Sequence, residues 1–449
     1  MEKVLPTREE LVAQNYPYGM SAPGIPMGNP EVEWQRSQPD VVVYRPQMPA
    51  YDGDNEHFLV FESSKWDGLL AIWTQSSCEG HGDNHIMFSR SDTSQTQWEK
   101  PRRIAGKQED GAGVQVSWAF PVVSRGGRIY VFAVHEIPHD KLQGYDAAQK
   151  QSSGNIVCLY SDDCGDTWSP IMDIQPVPRT CYDHENPLIP PAWIVFQPPI
   201  RDRYGRFFAG YTRWSNASRF VKHSNAWVND DSHCFFLRFE NIDEDPAPQD
   251  IRITWLPEDS RGICVPNPVE PQMETAQEPA VALLPDGRLF CVMRTMTGSP
   301  YYVVSADDGC TWSSPEPLRY RDGGERILHP MSPCPLYRMD EKNYLFLFHN
   351  NDGNRLWFHQ SDLYWMANYA NYLRNPMYIS IAQFAPNDRQ PLRFGEPVEF
   401  LNTDDVAIGP KKTAEIGTYP TFTNRNGKWM LWYPDRKYYL LGKQIPEFL

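Results

Sequence analysis

The clearest alternation of apolar and polar positions lies at 277–312. Two short apolar runs, 280–284 and 289–293, flank the tripeptide Pro285-Asp286-Gly287, and a third strand-like run leads into a polar turn at 305–312. Apolar runs this short, bounded by turn residues, read as strands buried on both faces. In the first turn proline presets φ and glycine accepts a positive φ without steric cost. The stretch therefore predicts an antiparallel meander.

The second turn carries a pattern that returns. Ser305, Asp307, Gly309, Thr311 and Trp312 spell S-x-D-x-G-x-T-W, and Ser161, Asp163, Gly165, Thr167 and Trp168 spell it again. The two aspartates are 307 − 163 = 144 residues apart, twice 72, and a degraded copy from Ser91 to Trp98 puts its third position at Thr93, another 70 upstream. A unit of about 70 residues holding four short strands is one propeller blade, and six such units come to about 420 residues. The chain has 449. The octet resembles the Asp-box, or BNR repeat, of sialidase-like β-propellers. The expected fold is all-β: a six-bladed β-propeller of four-stranded antiparallel blades, with seven blades as the alternative.

The blades are expected at 57–104, 119–174, 193–256, 277–320 and 331–401, the third of them without an Asp-box. Blade 6 has three strands, 419–424, 428–433 and 437–444, and the segment 40–45 (DVVVYR) is the candidate for its fourth. Closure by an N-terminal strand would remove the exposed sheet edge. The chain reads as a single domain over 1–449, with an N-terminal arm at 1–39 and an insertion in blade 5 at 351–376, rich in Asn, Tyr and Trp.

Composition narrows the partners. Against 57 acidic residues there are 42 basic ones, and a net charge of −15 repels phosphate backbones, which argues against nucleic acid. No run of 18 apolar residues occurs, so no membrane span is expected. The opening residues carry charge at Glu2, Lys3, Arg8, Glu9 and Glu10 around no apolar core, so no signal peptide is expected. That predicts a cytoplasmic chain, or a secreted form without its leader. Nine cysteines without a C-x-x-C pair or a close Cys/His cluster predict free thiols rather than a disulfide framework or zinc ribbon, with Cys158, Cys291 and Cys334 in strands. No cofactor is called for, and a metal is left open.

Antiparallel geometry places the Asp-boxes and first turns on one face of the ring, the bottom, and first-strand starts and second-strand ends on the other. The top then collects Trp118 and His135 from blade 2, Gln197 and Arg213 from blade 3, and Glu278 and Arg294 from blade 4. Blade 5 adds His349 and Asn350, and blade 6 adds Tyr419, Asp435 and Arg436. Each alone is an ordinary strand-end group. Five blades converging on one central pocket make them a candidate site.

Three of them resemble sialidase positions. Glu278 in Q-E-P, followed 16 residues later by Arg294, is similar to the family's glutamate and second arginine. Tyr419 in T-Y-P-T-F is similar to its tyrosine nucleophile. The resemblance implies a sialidase-like exo-glycosidase acting on a terminal sugar, an acidic one by preference, with Tyr419 attacking and Glu278 taking its proton. Arg294 with Arg213 or Arg436 would grip the carboxylate, and His135, His184 and His349 would contact the sugar. For the acid/base, the blade-1 loop offers Asp83 first, His81 second and Glu79 third. The family's first arginine has no counterpart in register: Tyr44-Arg45-Pro46 comes too early. Residues 329–335 supply no third arginine in blade 5. A second reading, a propeller polysaccharide lyase acting on a uronate by β-elimination, would use His135, Arg213, Tyr182 and His184. A third is a non-catalytic glycan-binding propeller. In all three the partner is a glycan or oligosaccharide.

Overall fold

The computed structural model describes residues 26–136, 152–216, 231–259, 261–266, 274–351 and 373–446. Its strands form six antiparallel sheets arranged as the blades of a β-propeller. Blade 1 is β2 (Asp54–Phe61), β3 (Leu70–Ser76), β4 (His85–Arg90) and β5 (Arg102–Gly106); blade 2 is β6 (Val116–Val123), β7 (Ile129–Glu136), β8 (Gly154–Ser161) and β9 (Met172–Asp173). Blade 3 is β10 (Ala192–Ile194), β11 (Ile200–Arg201), β12 (Phe207–Trp214), β13 (Ser232–Phe239) and β14 (Ile253–Leu256), its first strand being split so that β10 and β11 both pair with β12. Blade 4 is β15 (Gln277–Leu283), β16 (Leu289–Arg294), β17 (Tyr301–Ser305) and β18 (Glu316–Pro317). In blade 5, β19 (Leu336–Arg338) and β20 (Asn343–Phe348) lead to β21 (Met377–Phe384), against which β22 (Leu392–Phe394) and β23 (Val398–Leu401) share the outer edge. The described part of the blade-5 insertion is Asn351 and residues 373–376; its remainder lies outside the described residues.

Blade 6 closes as the apolar pattern requires. Its strands β24 (Thr421–Arg425), β25 (Lys428–Asp435) and β26 (Tyr439–Gln444) are completed by β1 (Val41–Tyr44), with Val41 opposite Gly442 and Val42 opposite Leu441. Val41 and Val43 are buried beside Trp73 and Trp432. The segment before β1 adds polar ties: Ser37 Oγ donates to Asp435 at 2.9 Å, and Glu33 meets the guanidinium of Arg436 at 3.2 Å.

Burial grades outward through a blade. In blade 1, β3 is buried at every position, whereas β5 is exposed or half-buried throughout. The Asp-boxes behave alike. Asp307 accepts hydrogen bonds from the Thr311 amide (2.8 Å), the Thr311 hydroxyl (2.6 Å) and Ser305 Oγ (2.8 Å), while Asp163 takes the same three from Thr167 and Ser161. Gly309 sits at φ +86°, and a Cβ there would come within 2.6 Å of the Phe208 ring, so the turn packs on the preceding blade. Trp312 stacks on Phe236 of that blade at 4.3 Å. In the degraded copy the accepting carboxylate is Asp92, one position before Thr93, and it takes hydrogen bonds from Ser94 Oγ at 2.8 Å and the Thr96 amide at 3.3 Å. Among the described residues no helix is long and apolar enough to cross a membrane. All nine cysteines are free; Cys158 and Cys291 are buried in β8 and β16 as expected, whereas Cys334, also buried, lies two residues before β19 rather than in a strand.

Candidate functional site

The innermost strands of four blades share a local distortion. His57, Trp118, Glu278 and Tyr419 have φ of +54°, +57°, +51° and +61°; the first three lie in the opening halves of β2, β6 and β15, and Tyr419 stands two residues before β24. In blades 1, 2 and 4 the pairing register slips across this residue, which is a β-bulge. A non-glycine residue at positive φ costs about 1–3 kcal/mol and needs its surroundings to hold it. At two of the four a threonine of the preceding blade does so: Thr74 Oγ1 accepts the Trp118 amide at 2.9 Å, and Thr212 Oγ1 accepts the Glu278 amide at 2.7 Å. The four positive-φ residues form one buried centre. The Tyr419 ring lies 6.1 Å from His57, 5.6 Å from Trp118 and 6.2 Å from Phe196, all edge-on.

Tyr419, Glu278 and Arg294, predicted to meet, do meet. The Tyr419 hydroxyl donates to Glu278 Oε1 at 2.7 Å, and Arg294 Nη1 makes an ion contact of 2.8 Å with Glu278 Oε2 that is not a directed hydrogen bond. Arg294 is aimed by Gln277 Oε1, which accepts from its Nε at 3.0 Å and its Nη2 at 2.6 Å. Burial, reinforced by the Glu278 charge, pushes the Tyr419 phenol well above its ordinary pKa, so it is the donor in this pair.

A second group of charges adjoins the first. Lys437 Nζ lies 5.5 Å from the centre of the Tyr419 ring and donates to Glu56 (2.6 Å) and Glu79 (2.7 Å). Glu79 is also bound by Lys411, which reaches Glu415 at 3.3 Å, and Glu415 pairs with Arg374 at 3.0 Å. Asp54 accepts the Glu79 amide at 3.1 Å. Four carboxylates (Asp54, Glu56, Glu79 and Glu415) thus face three cations (Lys411, Lys437 and Arg374), and fully ionised they would leave one buried negative charge uncompensated. The proton falls to the carboxyls that burial disfavours most as anions: Glu56 is pushed up to about 8 and Asp54 to about 6. Burial works against the Glu79 anion too, but Lys411 and Lys437 outweigh it and hold this carboxyl well below its usual range.

Of the blade-1 loop residues, Glu79 is the one joined to the centre, through Lys437. Asp83 accepts the Ser77 amide at 3.1 Å and His81 Nδ1 meets Ser77 Oγ at 3.0 Å, so both hydrogen-bond within the loop itself. Arg213 and Arg436 are taken by internal carboxylates. Arg213 Nη2 lies 2.5 and 2.6 Å from the two oxygens of Asp183, and Arg436 Nε lies 2.5 Å from Asp435. The second guanidinium, beside Arg294, whose charge interacts with both Tyr419 and Glu278 is Arg374, anchored on the Met331 carbonyl at 2.9 Å. It stands just before β21, after the insertion, where a search in register with residues 329–335 does not reach. His349 is buried, stacked on His329 at 5.8 Å, with Nδ1 3.2 Å from the Pro376 carbonyl. Its neighbour Asn350 is within 3.4 Å of the Tyr320 hydroxyl. Gln197 donates to the carbonyls of Val281 (3.2 Å) and Leu336 (3.0 Å), tying three blades at the axis. His135 is the penultimate residue of β7, half-exposed, 4.0 Å from Asp173. His184 Nδ1 accepts the Asn186 amide at 3.0 Å, and Tyr182 stacks on His233 at 3.8 Å. The groups of the lyase reading are therefore engaged with other residues of the fold.

A family model described as a BNR repeat-like domain matches residues 67–383. A search of curated proteins finds no match. Among solved structures, a protein of unknown function from Dyadobacter fermentans superposes with a TM-score of 0.58 at 12% identity, covering 91% of this chain and 96% of that one. The NanB sialidase of Streptococcus pneumoniae gives 0.55 at 11%, covering 90% and 70%, and the sialidase of Trypanosoma rangeli gives 0.52 at 9%, covering 87% of this chain and 54% of that one. At such identities the likeness shows the fold.

Proposed function

The chain belongs to the BNR repeat-like domain family, and from that premise we propose that it is a sialidase-like exo-glycosidase releasing a terminal acidic sugar from a glycan. The observation that carries this reading is the buried hydrogen bond of 2.7 Å from the Tyr419 hydroxyl to Glu278. A neutral phenol is a weak nucleophile, and a carboxylate in line with its proton lowers the cost of forming the phenolate as it attacks. Tyr419 Oη bonds to the anomeric carbon while the bond to the leaving oxygen breaks, and Glu278 accepts the phenolic proton. The leaving oxygen is protonated by Glu56, which Lys437 holds beside the Tyr419 ring and whose carboxyl burial pushes up to about 8. Water then displaces Tyr419 from the sugar, giving up its proton to the emptied Glu56, while Glu278 returns the phenolic proton to the departing Tyr419 oxygen.

Arg294 and Arg374 hold the sugar carboxylate, since a planar guanidinium fork suits bidentate recognition. Incubation with a panel of sialosides, glucuronides and uronate-containing oligosaccharides tests the reading. Free acidic monosaccharide supports it. Products with the ultraviolet absorbance of an unsaturated uronate would point to β-elimination, and binding without turnover would point to a lectin-like role.

A further inference from the structure

Away from the Tyr419 centre, at the start of β13, the chain brings together three residues that the sequence scatters. His233 stands opposite Arg213 on β12, and Cys264 follows Ile263, which bridges to Cys234. Glu274 returns to the same place, its carbonyl accepting the Ser232 amide at 2.9 Å. One ligand atom from each of His233, Cys264 and Glu274 lies within 4.8 Å of the other two. These are a nitrogen, a sulfur and an oxygen donor, the set that zinc accepts in a tetrahedral site with a fourth position left for water.

A hydrogen-bonded cluster without a metal would explain two of the three residues. Cys264 Sγ donates to Glu274 Oε1 at 3.2 Å, and Arg261 donates to the same oxygen at 2.9 Å. It does not explain His233. That ring is fully buried and stacked under Tyr182 at 3.8 Å, and although the Arg261 backbone lies close enough to interact with it, neither of its nitrogens makes a hydrogen bond of normal geometry among the described residues. Buried polar atoms are seldom left so, and an unanswered imidazole beside a thiol and a carboxylate is the arrangement a metal ligand shows when its metal is absent.

We propose that His233, Cys264 and Glu274 bind a divalent metal ion of the zinc class. On binding, the Cys264 S–H bond is replaced by a sulfur–metal bond and its proton leaves to solvent, while Arg261 keeps its contact with the carboxylate.

The full-length protein, stripped with a chelator, is titrated with Zn²⁺ and with Co²⁺. A single equivalent of Zn²⁺ should bind with proton release and raise the melting temperature, since an ion bound by the native state alone stabilises it. The Co²⁺ form should show a thiolate-to-metal charge-transfer band. Cys264→Ser should abolish that band, and Cys264→Ser and Glu274→Gln should each weaken Zn²⁺ binding by about tenfold or more. Both positions are partly exposed, so these variants remain informative if His233→Gln fails to fold. Absence of stoichiometric Zn²⁺ binding overturns the proposal. So does binding that is unchanged in both variants, which would place the ion elsewhere.

Discussion

Replacing Tyr419 by phenylalanine isolates the reacting oxygen from everything else the residue does. The ring keeps its edge contacts with His57, Trp118 and Phe196 and its place under Lys437, none of which uses the hydroxyl. What is lost is the 2.7 Å hydrogen bond to Glu278, a residue 1% exposed whose Oε1 then has no donor. Removing a hydrogen bond to a buried charged group costs about 1.5–3 kcal/mol. With an unfolding entropy of about 2.1 cal/mol/K per residue, a chain of 449 residues loses about 1 °C of melting temperature per kcal/mol, so calorimetry should record a drop of about 2–3 °C. Turnover of the best substrate from the panel should fall by about a thousandfold or more, because the covalent route is closed, while the binding constant of the product sugar changes little. Two results refute the reasoning: kcat within tenfold of the parent, or a collapse of the fold. The first means Tyr419 is not the nucleophile, and the second means the hydroxyl is a structural group.

Arg294→Lys should raise KM more than it lowers kcat in steady-state kinetics, because a point charge does not reproduce the fork that Gln277 orients. Asp307→Ala removes three hydrogen bonds from a bottom-face turn and should destabilise by about 1–3 kcal/mol in a denaturant titration with kcat per folded molecule unchanged. With Glu56 raised to about 8 and its unfolded value near 4.5, the native state binds the extra proton between those values. Stability should therefore fall as pH rises from about 4.5 to 8, kcat/KM should show a basic limb near 8, and Glu56→Gln should flatten the first and depress the second across the range. Deleting residues 1–46 removes β1 and the Glu33–Arg436 pair, and should lower the melting temperature sharply and promote edge-to-edge association, read by calorimetry and light scattering.

The Asp-box octets, the short apolar runs and the unpaired VVVY segment were enough to predict the ring and its closure, because each is a local pattern with a local physical cause. Glu278, Arg294 and Tyr419 were legible for a related reason: they begin or end strands whose pairing the turns dictate. The bulges were not. Nothing in His57-Phe58 or Trp118-Ala119 signals a positive φ, and at Trp118 the threonine that holds the distortion, Thr74, comes from another blade. Arg374 is not legible because it stands just before β21, which begins at Met377, far along the sequence from residues 329–335 where blade 5 would be expected to supply it. Arg213 reads as a free strand-end cation because its partner, Asp183, lies 30 residues away in sequence, and Arg436 because adjacency to Asp435 alone does not show that the two side chains pair, while its second partner, Glu33, is 403 residues away. The His233–Cys264–Glu274 group escaped the search for close Cys/His spacings for the same reason: a turn of sheet, not sequence proximity, assembles it.

The pairing of β1 with β26 also sets an order of events when the chain is made. Val41 leaves the ribosome 442 − 41 = 401 residues before its partner Gly442, which at about 5–20 residues per second is roughly 20–80 s. Through that interval five blades can form in turn, each from neighbouring sequence, while an apolar strand with no sheet to join waits at the front of the chain. The ring is sealed only when the last strand arrives. The hazard of misassembly is thus concentrated in one short tetrapeptide and one interval, and slowing synthesis of the final blade should raise the fraction of chains in which that strand pairs with another molecule.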